Sequence, residues 1–197
     1  MTTRTLEDTR AARLKGATHA THDRLDRSIM EAASFASLDG YIRFATMQYG
    51  FHRDIDALYD VPRLRVLLPG LDGRRRLALI AADLHDLKVP LPRAEAPPVF
   101  LPDAEPDVPT ALGWLYVAEG SNMGAALLRK EAARLGMSDT HGALHLAPAP
   151  EGPAAHWRAF TAALNAVELS EAEEARTIAG ANAAFARVQA LADASFA

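Results

Sequence analysis

The chain has 197 residues, enough to bury one substantial core, and its 49% hydrophobic and 23% charged content is that of an ordinary globular protein. A formal net charge of −4 gives no basic field for nucleic acid, and the absence of cysteine excludes disulfides, thiolate metal sites, iron–sulfur clusters and a cysteine nucleophile. No apolar run is long enough to span a bilayer, and the polar stretch Met1 to Leu14 has no signal-peptide character, so a cytoplasmic protein is expected.

Helical periodicity runs through the chain and strand alternation is nearly absent, which predicts an all-α, single-domain multi-helix bundle over residues 1–197. The first predicted helix, Arg4–Leu25, ends in a segment carrying Lys15, His19 and His22, then Asp23 and Asp26. The two histidines are three apart and share a face; an imidazole is a natural ligand for zinc or an axial ligand for haem iron. No second histidine pair at helical spacing completes a metal site, and either ring also makes sense as an exposed polar group at a charged helix end. Lys15 stands two turns before His22 on the same face, where a cation would meet the anionic edge of a porphyrin held by that imidazole.

A short helix over Ser28–Ala33 comes next. Ser37 is predicted to cap Leu38–Tyr59, which carries Tyr41, Phe44, Gln48 and Phe51, with His52 among Arg53, Asp54 and Asp56 on a polar face. Pro62–Leu67 and Arg74–Asp86 follow, His85 lying beside Asp83 and Asp86. Seven of the twelve prolines fall between Pro90 and Pro109, a density that forbids helix and favours an extended loop.

The longest predicted helix, Val108–Leu135, has Asp107 as its cap, Pro109 in its first turn and Gly136 as its stop. Gly120 and Gly124 interrupt its middle. Each costs about 1 kcal/mol relative to alanine, and four residues apart they lie on one stripe. Either something large and flat approaches the backbone more closely than a Cβ would allow, or the helix crosses a neighbour there, or an alanine-rich helix tolerates them. Ser121 lacks the strand-to-helix turn of a nucleophile elbow, and the glycines lack the strand and turn of a phosphate loop. Arg129, Lys130 and Arg158 are further cations for an anionic ligand. Asp139, His141 and His145 make at most a weak metal site in a solvated loop, and His156 has no evident partner. Helices over Gly152–Val167 and Glu171–Ala194 end the pattern, the latter opened by a capping box of Ser170 and Glu173.

Two of these segments resemble the haem oxygenases, particularly the bacterial branch. Thr18-His19-Ala20-Thr21-His22-Asp23-Arg24-Leu25-Asp26 is similar to the family's proximal-helix signature, a histidine followed after two positions by leucine and then an acid. The resemblance implies that His22, and not His19, is the axial ligand of the iron. Ala111-Leu112-Gly113-Trp114-Leu115-Tyr116-Val117-Ala118-Glu119-Gly120-Ser121-Asn122-Met123-Gly124-Ala125-Ala126 resembles the distal helix, whose glycines let the backbone lie almost on the haem face. Weaker likeness runs through Phe35–Tyr41, Gln48-Tyr49, Leu68–Leu71 and Val167–Ser170 to Phe185, nearly the whole chain.

The resemblance implies haem b sandwiched between proximal and distal helices, as both cofactor and substrate. With O2 and external electrons from a ferredoxin or flavin reductase, it would be opened to biliverdin, carbon monoxide and ferrous iron. The site would comprise His22 on the iron, Lys15, Tyr116, Arg129, Arg158 and Phe185 about the macrocycle, and Gly120, Ser121 and Gly124 on the distal side. Ser121 stands where animal members and some bacterial ones carry an aspartate, so distal water would be organised differently, with Arg76 a candidate to help. In one branch, lysines rotate the haem by capturing its propionates from an unusual side; Met30 and Glu131 stand at the matching positions here. Lys15 occupies the place used in α-cleaving members, so opening at the α-meso carbon is expected. The alternative is a haem sensor or carrier on the same scaffold, and the cysteine-dependent thiamine-pyrimidine hydrolases of similar fold are disfavoured by the absent cysteine. A monomer is expected, with no nucleic-acid or membrane partner.

Overall fold

Capping, proline placement and buried arginines set the helix boundaries. The structure, a computed structural model, describes residues 9–31, 35–94 and 96–196. The expected start of the first helix at Arg4 and the end of the second at Ala33 lie outside these residues. Among the described residues are helices α1 (Arg10–Glu31), α2 (Leu38–Ile55), α3 (Pro62–Leu67), α4 (Leu77–Asp86), α5 (Val108–Arg134), α6 (Pro153–Ala166) and α7 (Glu171–Phe196). Short 3-10 turns occur at Asp56–Asp60, Asp72–Arg74 and Leu144–Leu146. No strand forms among them; Ser138 makes only isolated bridges to His141 and Gly142. No helix is long and apolar enough to cross a membrane.

The caps form where side chains supply them. Ser37 accepts from the Gly40 amide at 3.1 Å and Asp107 from the Thr110 amide at 3.0 Å. Ser170 and Glu173 cap reciprocally, at 2.8 and 3.4 Å.

Three boundaries differ from expectation. No break occurs between Leu25 and Ser28, because that stretch has neither glycine nor proline and Ser28 Oγ donates back to the Arg24 carbonyl. The helix expected to reach Tyr59 instead tightens to 3-10 at Asp56. Arg75 there grips the Asp56 carboxylate at 2.7 Å and carbonyl at 3.1 Å, and the Asp60 carboxylate at 2.6 Å, so both acids converge on one guanidinium. The helix expected from Arg74 begins at Leu77, because the chain is extended at Arg75 (φ −62°, ψ 131°).

α7 is the spine of the molecule, packed along α5, α1 and α2. Its crossing with α5 is tight enough to require glycine on both sides. A Cβ on Gly113 would stand 2.5 Å from the Ala181 amide nitrogen and overlap the Thr177 carbonyl, and one on Gly180 would overlap the Thr110 carbonyl. The close crossing that a glycine-bearing helix suggests therefore exists at Gly113, about two turns before Gly120. One turn earlier on α7, buried Arg10 ties α1 to α6 and α7 by donating to Glu174 and to the carbonyls of Leu164 and Val167.

Candidate active site

α1 presents Lys15, His19 and His22 at its surface, and the two rings are held differently. The His22 side chain is 54% exposed, meets the edge of Phe185 of α7 at 5.7 Å between centroids, and has Nδ1 3.2 Å from the Asp26 carboxylate one turn on. His19, 72% exposed, has Nδ1 3.4 Å from Asp23 and no aromatic neighbour. A carboxylate at Nδ1 holds the proton on that nitrogen and leaves the Nε2 lone pair free, the arrangement that orients a metal-ligating imidazole.

On α5 the glycines at 120 and 124 are not demanded by any protein neighbour. A Cβ on Gly124 would meet nothing within 4 Å, and one on Gly120 only the Trp157 ring at 3.8 Å, an ordinary contact. Met123 and Leu127, at 45% and 62% exposure, flank them. Residues 120, 123, 124 and 127 share a helix face, so α5 offers a flat apolar strip with bare backbone at its centre. Tyr116, one turn before Gly120, is buried against Trp157 at 5.6 Å, and burial raises its hydroxyl above the ordinary tyrosine value.

The other expected site residues stand apart. Ser121 Oγ donates to the Ala118 carbonyl at 2.7 Å, and Arg129 is held by Asp139, Nε to Oδ1 at 2.5 Å. Lys15 and Arg158 are exposed. The structure thus joins His22 to Phe185 and sets Tyr116 one turn from Gly120, while the three cations remain separate. The loop histidines do not assemble with Asp139: His141 approaches Asp86 and His145 binds Asp83, and no group of three or more metal-ligating side chains occurs among the described residues.

Behind α5 lies a buried polar network that periodicity misses. Glu119 and Arg74 pair at 2.6 Å, both buried, and Arg74 also donates to the His156 carbonyl at 3.1 Å and lies 5.5 Å over the Phe160 ring. His156 Nε2 stands 3.6 Å from Glu119, and its Nδ1 is 2.6 Å from Glu151. Asp83 accepts from the amides of Leu144 and His145 and meets His145 Nδ1 at 2.6 Å. Arg76 Nη1 donates to the carbonyls of His145 and Ala147. His52 and His145, which the sequence places on a polar face and in a loop, therefore face inward, as does His156, for which the sequence shows no partner. The usable signal is Glu119 itself: an acid following the apolar run Trp114–Ala118 must find a cation if buried.

Burial raises the Glu119 carboxyl above its ordinary value, with Arg74, His156 and Arg76 pulling the other way. Burial lowers His52 to about 3, helped by His145 and Arg76. Among the described residues, six buried side-chain atoms have no hydrogen-bond partner: His52 Nδ1, Tyr59 Oη, Arg76 Nε, Glu119 Oε1, His145 Nε2 and His156 Nε2. Atoms of this kind are satisfied by internal water. A cavity of about 40 Å³, room for more than one water, is lined by residues including Arg76, Asn122, Arg129 and His156.

The His52 shift has a measurable sign. Its folded value lies below the unfolded one, so the unfolded chain binds the extra proton and stability falls as pH drops from about 6.5 towards 3. The expected slope is about 1.4 kcal/mol per pH unit in that window, and His52→Gln removes it. Urea denaturation of both proteins at pH 7 and pH 5 checks this; equal acid sensitivity contradicts it.

The fold is an all-helical bundle with an exposed imidazole on one helix and a glycine-opened apolar face on another. The model of the family described as "Heme oxygenase" matches residues 8–194. The chain is similar to "Heme oxygenase PigA" of Pseudomonas aeruginosa, at 39% identity over 98% of this chain and 96% of that one. It is also similar to "Heme oxygenase" of Xanthomonas campestris, at 34% identity over 59% of this chain and 67% of that one. The crystallographically solved NO- and CO-bound haem oxygenase of Neisseria meningitidis superposes with a TM-score of 0.88 at 40% identity, covering 95% and 92% of the two chains. The chain belongs to the haem oxygenase family, and it is an enzyme of that family.

Proposed function

We propose that this enzyme binds haem b between His22 of α1 and the Gly120–Gly124 face of α5 and opens it at the α-meso carbon to biliverdin, carbon monoxide and ferrous iron. What carries this reading is that Gly124 and Gly120 keep bare backbone on an exposed apolar face where no protein neighbour asks for it. The residues present fit the group: one exposed imidazole with a carboxylate at Nδ1, an aromatic edge beside it, and an exposed apolar strip on α5.

When bound, haem supplies both the iron at which O2 is activated and the ring that is oxidised, with electrons from a ferredoxin or flavin reductase. His22 holds the iron as a neutral ligand, oriented by Asp26. Gly120 and Gly124 admit the macrocycle to van der Waals distance of the α5 backbone. Ser121 bonds its own helix and is not aimed as an acid, so distal protons come from water held by the polar network behind α5. Lys15, exposed two turns from His22, would hold a propionate, with Arg158 and Arg129 as further cations; Met30 and Glu131 offer no competing lysine.

Hemin titration followed by a reductant in air tests this. A Soret band saturating at one haem per chain, then replaced by the absorption of biliverdin with release of carbon monoxide, is expected, and chromatography should show the α isomer. Mainly β or δ biliverdin overturns the regiochemistry. A Soret band that persists under reductant and O2 points instead to a haem carrier or sensor.

A further inference from the structure

We propose that Glu151, His156 and Glu119 form a proton route from solvent to the back of α5, with Glu151 and His156 positioning residues that act through Glu119. The proposal rests on the haem-cleaving reading above, since reduction of O2 to water consumes protons at the distal side.

The geometry runs inward from the surface without a gap wider than one water. Glu151, half-exposed, lies 2.6 Å from His156 Nδ1, and His156 Nε2 lies 3.6 Å from the buried Glu119 carboxylate. One water or a small side-chain rotation spans that separation. Glu119 immediately precedes Gly120, the first glycine of the open face. A purely structural ion pair would satisfy both carboxylate oxygens. Arg74 takes only Oε2, while Oε1, the facing His156 Nε2 and the nearby Tyr59 hydroxyl have no protein partner. The cavity lined by Arg76, Asn122 and His156 adjoins the same imidazole.

The charged groups facing Glu119 come from three sides: Arg74 from the 3-10 turn, Arg76 from the start of α4, and His156 from α6, with Tyr59 the remaining titratable neighbour. Facing His156 are Glu151 from the preceding loop and Glu119 from α5. Burial raises the Glu119 carboxyl and the cations restrain it, so it exchanges protons nearer neutrality than an exposed glutamate does.

In one cycle His156, its Nδ1 proton held on Glu151, takes a second proton at Nε2 from water in the adjoining cavity and, as the imidazolium, releases it to the Glu119 carboxylate. Glu119 passes a proton inward to water, and His156 is left as the neutral Nδ1–H ring for the next cycle. Each transfer moves one proton and no electrons.

The test uses the full chain with hemin and a chemical reductant in air, and the haem-free protein by infrared difference spectroscopy. His156→Gln is expected to bind hemin as wild type does but to cleave it at least tenfold more slowly, with a steeper fall at high pH and a larger solvent deuterium isotope effect. Glu151→Gln, at the surface where water substitutes, loses only a few-fold. In haem-free protein the protonated-carboxyl band abolished by Glu119→Gln shifts its pH midpoint in His156→Gln. Wild-type rates, isotope effects and band positions in both His156 and Glu151 variants overturn the route. So does a rate that falls only in step with hemin affinity, the mark of a structural role. Hemin left intact by the wild type overturns the haem-cleaving reading itself, a failure the variants cannot mimic.

Discussion

Replacing His22 with alanine is expected to abolish haem turnover, and added imidazole to restore part of it. The ring is more than half exposed, and it touches the edge of Phe185, the Asp26 carboxylate at 3.2 Å and the Asp23 carboxylate at 4.0 Å. Its loss therefore changes stability by less than about 1 kcal/mol, alanine being the better helix former. The effect falls on the iron instead, which loses its protein ligand. His19→Ala, one turn earlier with no aromatic neighbour, is expected to keep turnover within about twofold. Asp26→Asn belongs between them: it removes the anion that orients the imidazole and strengthens it as a donor, and changes of this kind cost roughly 10–100-fold in metal affinity or activity. Soret titration and turnover of the three variants check the order. Loss of activity in His19→Ala with His22→Ala intact would move the ligand one turn towards the start of α1.

The scaffold is legible in the sequence because periodicity and caps are local. Ser37, Asp107 and Ser170 cap where expected, and the proline-dense segment stays irregular. What escapes local reading is what distant residues do to one another. Arg75 shortens α2 only because Asp56 and Asp60 curl towards it across a turn. His145 looks like a loop histidine until Asp83, 62 positions away, accepts from its ring and amide. Arg74, 45 residues from Glu119, is one of three consecutive arginines with nothing in the local sequence to mark it, yet it is the buried counter-ion of the helix before the open glycines. The candidate site divides in the same way. The glycine pair is visible through spacing and His22 through the family resemblance, spacing alone leaving His19 equally open, whereas Glu119, His156 and His52 are recognised only once burial is known.

Two glycine-to-alanine changes on α5 are expected to move stability in opposite directions, and the one that stabilises is the one that disables. At Gly113 the new methyl would overlap the Thr177 carbonyl and press on the Ala181 amide, both backbone atoms of α7 that cannot rotate away. The helices must separate along their main interface, at a cost of about 3 kcal/mol or more. At Gly124 the methyl meets nothing within 4 Å, so the haem-free protein gains about 1 kcal/mol from helix propensity and reduced unfolded-state entropy. The same methyl stands on the face proposed above to receive the macrocycle. A displacement of about 1 Å there is enough for a roughly hundredfold loss of turnover. Urea denaturation without haem, followed by hemin cleavage, separates the two effects. A Gly124→Ala protein that is both more stable and fully active would show that this face of α5 does not meet the haem. Lower stability without haem would mean that Gly124 serves the fold, as Gly113 does.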